Sequence, residues 1–200
     1  MANVNAPFGF RPVRRSDSAD WSTAFETRQI ASNYATSIGM GDAVKAISTG
    51  FLERATAGDN ALADPGIYGI FIGCEYYDTA LAKKVFLPRW TGATTALAGS
   101  VLARVISDPR VVFEVQMGGS TTLGGVIADL GANIGILDGA VNTITGMSTQ
   151  GVDQTTLQVT VTLPFRVVNL SQKIGNDNAS PYNTVEVVLN NSAYNSRLGF

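Results

Sequence analysis

Histidine is absent from this 200-residue sequence. Its absence removes the commonest general base, every Ser-His or Cys-His nucleophile pair and all imidazole metal sites. There is one cysteine, Cys74, so neither an intramolecular disulfide nor a thiolate metal cluster forms, and nothing points to an oxidising compartment. The lysines are Lys45, Lys83, Lys84 and Lys173. None follows a glycine, which excludes a phosphate cradle of the Gly-Lys-Ser/Thr kind. Charged residues make up only 15%, against roughly 25% in an average soluble domain. The net charge of -2 supplies no global field for nucleic acid or an anionic membrane. No apolar run approaches the ~18 residues of a membrane span, and the opening residues lack the pattern of a secretory signal. Long amphipathic helices are missing too, and there is no repeat of roughly 20–50 residues.

What is present is apolar: hydrophobic residues reach 45%. A chain of this length buries roughly 70% of its unfolded surface and needs no staple. Few charges with much apolar surface fit a subunit covered by partners; a large, well-packed monomer fits as well. The most informative stretch is Gly66 to Asp78. At a strand's two-residue period, Tyr68, Ile70, Ile72, Cys74 and Tyr76 form an apolar face and predict a core side. Ile67, Gly69, Phe71, Gly73, Glu75 and Tyr77 form the other, where glycine alternates with large side chains. Glycine inside a strand marks a bulge or a close backbone approach. Two readings stay open: a second face offered to a partner, with Phe71 and Tyr77 in contact, or a strand buried on both faces.

Residues 1–25 read as an extended arm. Pro7 and Pro12 hold the chain extended, and Phe8, Phe10, Arg11 and Trp21 are candidate anchors on a neighbour. Residues 26–118 read as a β-rich domain, with short strands at 25–31, 39–47, 51–55, 84–90, 101–106 and 111–116. Gly, Pro and Asp punctuate them every ten or so residues, the pattern of a β-barrel or β-sandwich of short antiparallel strands with little helix. One helical turn is allowed in 18–26 and another in 93–98. Residues 118–139 hold seven glycines and read as a boundary or crossing loop. Residues 119–200 form a second β-rich region, possible as part of the same domain. Its cleanest alternation puts Leu157, Val159, Val161 and Leu163 inward. Pro164 interrupts before a strand at 165–168, and a last strand covers 184–189.

Catalytic, cofactor and metal residues are not assigned. Gly118 to Gly125 lacks the lysine of a phosphate loop. Asp59, Asp64, Glu75, Asp78 and Glu114 are available as paired carboxylates, but ordinary surface charges explain them better. Asn176-Asp177-Asn178 reads as a turn, not a calcium loop. The aromatics do not interleave with Lys and Arg as a single-strand nucleic-acid platform requires.

Several segments together resemble the capsid decoration, or cement, proteins of tailed bacteriophages. They are Ala6 to Val13, Gly41 to Val44, Gly69 to Tyr76, Val112 to Gln116, Leu163 to Val167 and Glu186 to Asn190. These are packing and turn signatures spanning nearly the whole chain. The resemblance implies a non-enzymatic virion protein, made in the bacterial host cytoplasm and placed on the outer capsid surface. It further implies a homotrimer that bridges major capsid protein subunits, with no cofactor, nucleic acid or membrane partner. Two alternatives are another virion component (tail, vertex or receptor-binding module) and a glycan-binding module or histidine-free hydrolase.

Overall fold

Every long element among the described residues is a strand, because the apolar residues recur at a period of two between Gly, Pro and Asp turns. The computed structural model describes residues 3–60, 66–92, 95–121, 126–177 and 180–193. Among them, helix is limited to 3-10 turns at Trp21–Thr23, Ala57–Asp59 and Ile127–Asp129. The strands are β1 (Arg11–Arg15), β2 (Phe25–Gln29), β3 (Ile38–Gly39), β4 (Ala43–Ala46), β5 (Leu52–Arg54), β6 (Gly69–Asp78) and β7 (Lys83–Leu87). They continue as β8 (Arg89–Trp90), β9 (Leu102–Ile106), β10 (Val111–Gly118), β11 (Asn133–Leu137), β12 (Gly151–Gln158), β13 (Phe165–Leu170) and β14 (Thr184–Leu189).

Five strands close into a barrel in the order β10-β12-β11-β13-β14, with β14 pairing back onto β10. Closure removes the exposed edges that an open sheet of this composition would carry. All its pairs are antiparallel except β10–β12, which joins Met117 and Gly118 to Val152 and Asp153 in parallel. A second sheet runs β2-β9-β6-β4-β5, with β7 also paired to β6. The small ribbon β3–β8 is a separate pair that packs against β6, with Ile38 and Trp90 in the same core as Phe71 and Cys74.

The mainly β architecture is therefore as expected, and the boundary between the two β-rich regions moves. β10 is a barrel strand, so the sheets divide at the 107–110 turn and not at 118. They share one core: Ala43, Ile67, Ile70 and Ile106 of the first part pack with Phe113, Val115, Ile134, Phe165, Val187 and others of the barrel. Residues 3–25 are not a free arm. β1 pairs with β10, and Phe10, 1% exposed, sits inside the barrel core, its ring stacked 4.3 Å from Phe165. Asn3 adds hydrogen bonds to the Asp177 and Pro181 carbonyls and to the Asn183 side chain. A phenylalanine and a strand edge offered to a chain with a complementary slot of its own are satisfied locally.

Two further expectations change. The glycine-rich 118–139 segment contains β11, held between β12 and β13. The alternation at 157–163 points inward only at its ends, where Leu157 packs against the barrel core and Leu163 is buried; β12 stops at Gln158, which pairs with Asn133, the first residue of β11. With no partner strand beyond among the described residues, Val159 and Val161 are 87% and 76% exposed. The turn at Trp21–Thr23 falls within the allowed helical segment; part of 93–98 lies outside the described residues, as do Asp64, Gly124, Gly125 and Asn178.

β6 carries a bulge that settles how its faces are used. Phe71 opposes Val105 and Gly73 opposes Arg104, leaving Ile72 as the extra residue. Ahead of it, Ile70 faces the barrel core while Phe71 faces a second core. Beyond it, parity inverts, and Cys74 and Tyr76 join that second core with Trp90, Val101 and Ala103. Glycine is required at both ends of this region. A Cβ on Gly69 would lie 2.3 Å from the Ile106 carbonyl oxygen, and Gly73 has φ +144°.

Cys74 is buried and donates to the Arg89 carbonyl at 3.3 Å. Burial pushes its thiol up to about 12, so the thiolate nucleophile is scarce at neutral pH. Native protein at pH 8 is expected to leave an aromatic disulfide reagent unreacted until denaturant is added. Prompt stoichiometric labelling would contradict this placement.

Candidate functional site

The sheet β2-β9-β6-β7 presents one face partly to the barrel and partly to solvent. At the barrel end, Ile70 and Ile106 fill it. Farther out, paired residues on the same face are Thr27 with Arg104 and Gly73 with Arg104. The guanidinium of Arg104 lies 4.5 Å from the Phe86 ring centroid and 5.6 Å from that of Phe25. These phenylalanines are 55% and 43% exposed. Phe86 lies over the bare backbone of Gly73, a common remedy for glycine in a strand. Alternation in β7 explains its outward ring: Val85 and Leu87 pack on the second core, and Lys84 and Phe86 point away.

Charge on this face is organised around Glu75. Lys84 donates to it at 2.9 Å and Arg104 stands 3.8 Å away. The hydrogen bond from Lys84 and the nearby Arg104 charge hold the Glu75 carboxyl below the usual carboxylate range. Tyr77 is exposed at the same end, its backbone N–H bonded to the Ser100 hydroxyl at 3.1 Å. Beside Phe25, the surface dips into a hollow lined by Ala24, Glu26, Ser107, Asp108, Pro109 and Arg110. Arginine stacked on aromatic rings is a pre-organised contact group that loses little entropy on binding. Such side chains are enriched where protein interfaces concentrate their energy.

The second concave surface is a cavity of about 300 Å³ beside residues 3–11. Phe8 and Arg11 line it, with the guanidinium 4.3 Å from the Phe8 ring. The buried Glu114 forms its floor, accepting from the Ser171 hydroxyl at 2.7 Å and from Lys173. Gln116 ties the wall together, accepting from the Ala6 N–H and donating to the Val4 and Tyr182 carbonyls.

The candidate anchors therefore scatter. Phe8 and Arg11 share the cavity and Tyr77 is on the outer face. Trp21 is half-buried against the barrel core. Phe10 and Phe71 are corrected: both are buried in the chain's own cores, so neither offers surface to a neighbour. The reading of the Gly69 to Tyr77 face missed Phe25, Phe86 and Arg104. The signal for Phe86 was present, since it shares the polar side of β7 with Lys84.

Among the described residues, the carboxylates considered for acid–base work are each held separately. Asp59 accepts from Lys45 at 2.7 Å, and Asp78 accepts from the Ala80 and Leu81 N–H groups of a turn. No group of three or more potential metal ligands occurs among the described residues. One buried cluster has polar groups in a catalytic-looking arrangement. The Ser148 hydroxyl donates to Asp42 at 2.6 Å, and Arg54 donates to both Asp42 oxygens at 2.9 and 3.1 Å. Asp42 and Ser148 are 0% and 1% exposed, so the cluster is closed to substrate and joins the second sheet to the 139–150 segment. No family model, curated protein or solved structure matches the chain.

Proposed function

We propose that this chain is a structural virion subunit, a capsid decoration or cement protein. It sits on the outside of a phage head and bridges major capsid protein subunits as a homo-oligomer, in the family pattern a trimer. The observation that carries this reading is the open half of the second sheet, where Phe25, Arg104 and Phe86 form a stacked, exposed row. The rest of that sheet is committed to two internal cores. A subunit of this kind binds by burying apolar surface across a junction, and many weak identical contacts add by symmetry. The low charge of the whole sequence, 15%, suits a surface that ends up covered.

The test is binding of the purified chain to heads that lack it, read by co-sedimentation and by particle imaging. Saturable, symmetric occupancy is expected. Changing Phe86→Ser and Arg104→Ser together is expected to weaken binding by about 30-fold or more, the loss of a strong contact of ~2 kcal/mol. Circular dichroism should stay unchanged. No occupancy at any concentration, or labelling confined to the tail, would overturn the reading.

A further inference from the structure

We propose that β2 is a two-fold contact through which two copies of this chain pair edge to edge. β2 ends its sheet. It pairs with β9 along its whole length, Phe25 to Gln29, and no other strand pairs with it among the described residues. Phe25, Thr27, Arg28 and Gln29 are all exposed. An open edge is a template for another strand, and proteins commonly guard it with charges. Here the charges complement themselves.

The argument is one of register. A two-fold axis perpendicular to the sheet keeps the same face of both copies on the same side. Each residue then meets one of equal parity across an antiparallel pair. Centring the axis on Glu26 sets two carboxylates opposite each other, and centring it on Arg28 sets two guanidinium groups opposite. Centring it on Thr27 pairs the full strand. Thr27 meets its own copy, Phe25 meets Gln29, and Glu26 meets Arg28 twice. Opposite charges directly across a ladder stabilise it and like charges destabilise it, so the Thr27 register is the favoured one. Both charged side chains are held in place beforehand. The Ser107 hydroxyl donates to Glu26, and Arg28 donates through Nε to the Tyr68 phenol at 2.6 Å. The contact is short and therefore weak alone, and it gains strength wherever a lattice holds many copies side by side. It does not depend on the capsid reading.

The test is done in solution on the full chain. Thr27→Cys places two thiols across the axis, with Cα atoms about 4.5–5.5 Å apart, inside the ~4.4–6.8 Å span of a disulfide. The buried Cys74 does not compete. Oxidation is expected to give a covalent dimer far faster than Thr145→Cys, an exposed position away from β2. Glu26→Arg and Arg28→Glu are each expected to weaken dimerisation, read by sedimentation, by about tenfold. Mixing the two variants should restore it, because each then faces opposite charge. Equal oxidation rates at positions 27 and 145, or a mixture no tighter than either variant alone, would overturn the proposal and show the charges to be edge guards.

Discussion

Asp42→Ala is expected to lower the unfolding free energy by about 3–5 kcal/mol, the cost of leaving a buried charge without its partner. Asp42 accepts four hydrogen bonds: the Gly39 N–H at 2.7 Å, Ser148 at 2.6 Å, and Arg54 at 2.9 and 3.1 Å. Arg54 also donates to the Gly139 carbonyl. The turn around Asp42 is where three parts of the molecule meet. The Gly41 carbonyl accepts from Phe10 N–H, Gly41 N–H donates to Phe71, and Met40 exchanges backbone bonds with Gly146 and Ser148. Alanine would strand the Arg54 guanidinium in a site with little water. Urea titration with the linear extrapolation measures the loss. The double change Asp42→Ala with Arg54→Met is expected to recover part of it, since the orphaned charge leaves as well. A single-variant loss below about 1 kcal/mol would show that this cluster is not the clasp described above.

Phe10→Ala is expected to cost about 3–5 kcal/mol, the range for emptying a buried phenylalanine site. Its ring lies flat on Phe165 at 4.3 Å, among Val111, Phe113 and Leu189 in a closed barrel that cannot collapse around the gap. Against a total stability of about 5–15 kcal/mol, that is a large fraction. Removing residues 2–15 goes further, since it also strips β1 from β10. Loss of capsid binding by such a truncation would therefore report unfolding. Phe8→Ala and Arg11→Ala, at the cavity rim, are expected to change stability by less than about 1 kcal/mol. They are the variants with which to ask whether the arm touches a partner. A Phe10→Ala midpoint equal to that of Phe8→Ala would refute the core placement.

Much of the architecture was legible because strand signals are local. The alternation of Thr184–Leu189 needs only its own residues, and its Val185, Val187 and Leu189 do face the core. The short strands between Gly and Pro turns were found for the same reason. β6 shows where local reading stops. Its period of two is correct on either side of Ile72, but the bulge adds a residue and exchanges the faces. Nothing in the side chains of Gly66 to Asp78 distinguishes one core from the other. At 157–163 the alternation was real, but its inward direction holds only at Leu157 and Leu163 and fails at Val159 and Val161, because inwardness there depends on a partner strand whose pairing stops at Asn133.

The sequence by itself determined that this is a β protein with little helix, without histidine or disulfide chemistry, and that its glycines mark tight backbone. Those properties follow from composition and from neighbours along the chain. Only the tertiary structure decided which aromatics are inside. Phe10 and Phe71 are core because β10 and β9 bring distant residues against them. Phe25 and Phe86 are outside because nothing among the described residues covers that half of the sheet. Burial is a property of what the fold brings to a side chain, and for residues of identical chemistry that partner lies elsewhere in the sequence.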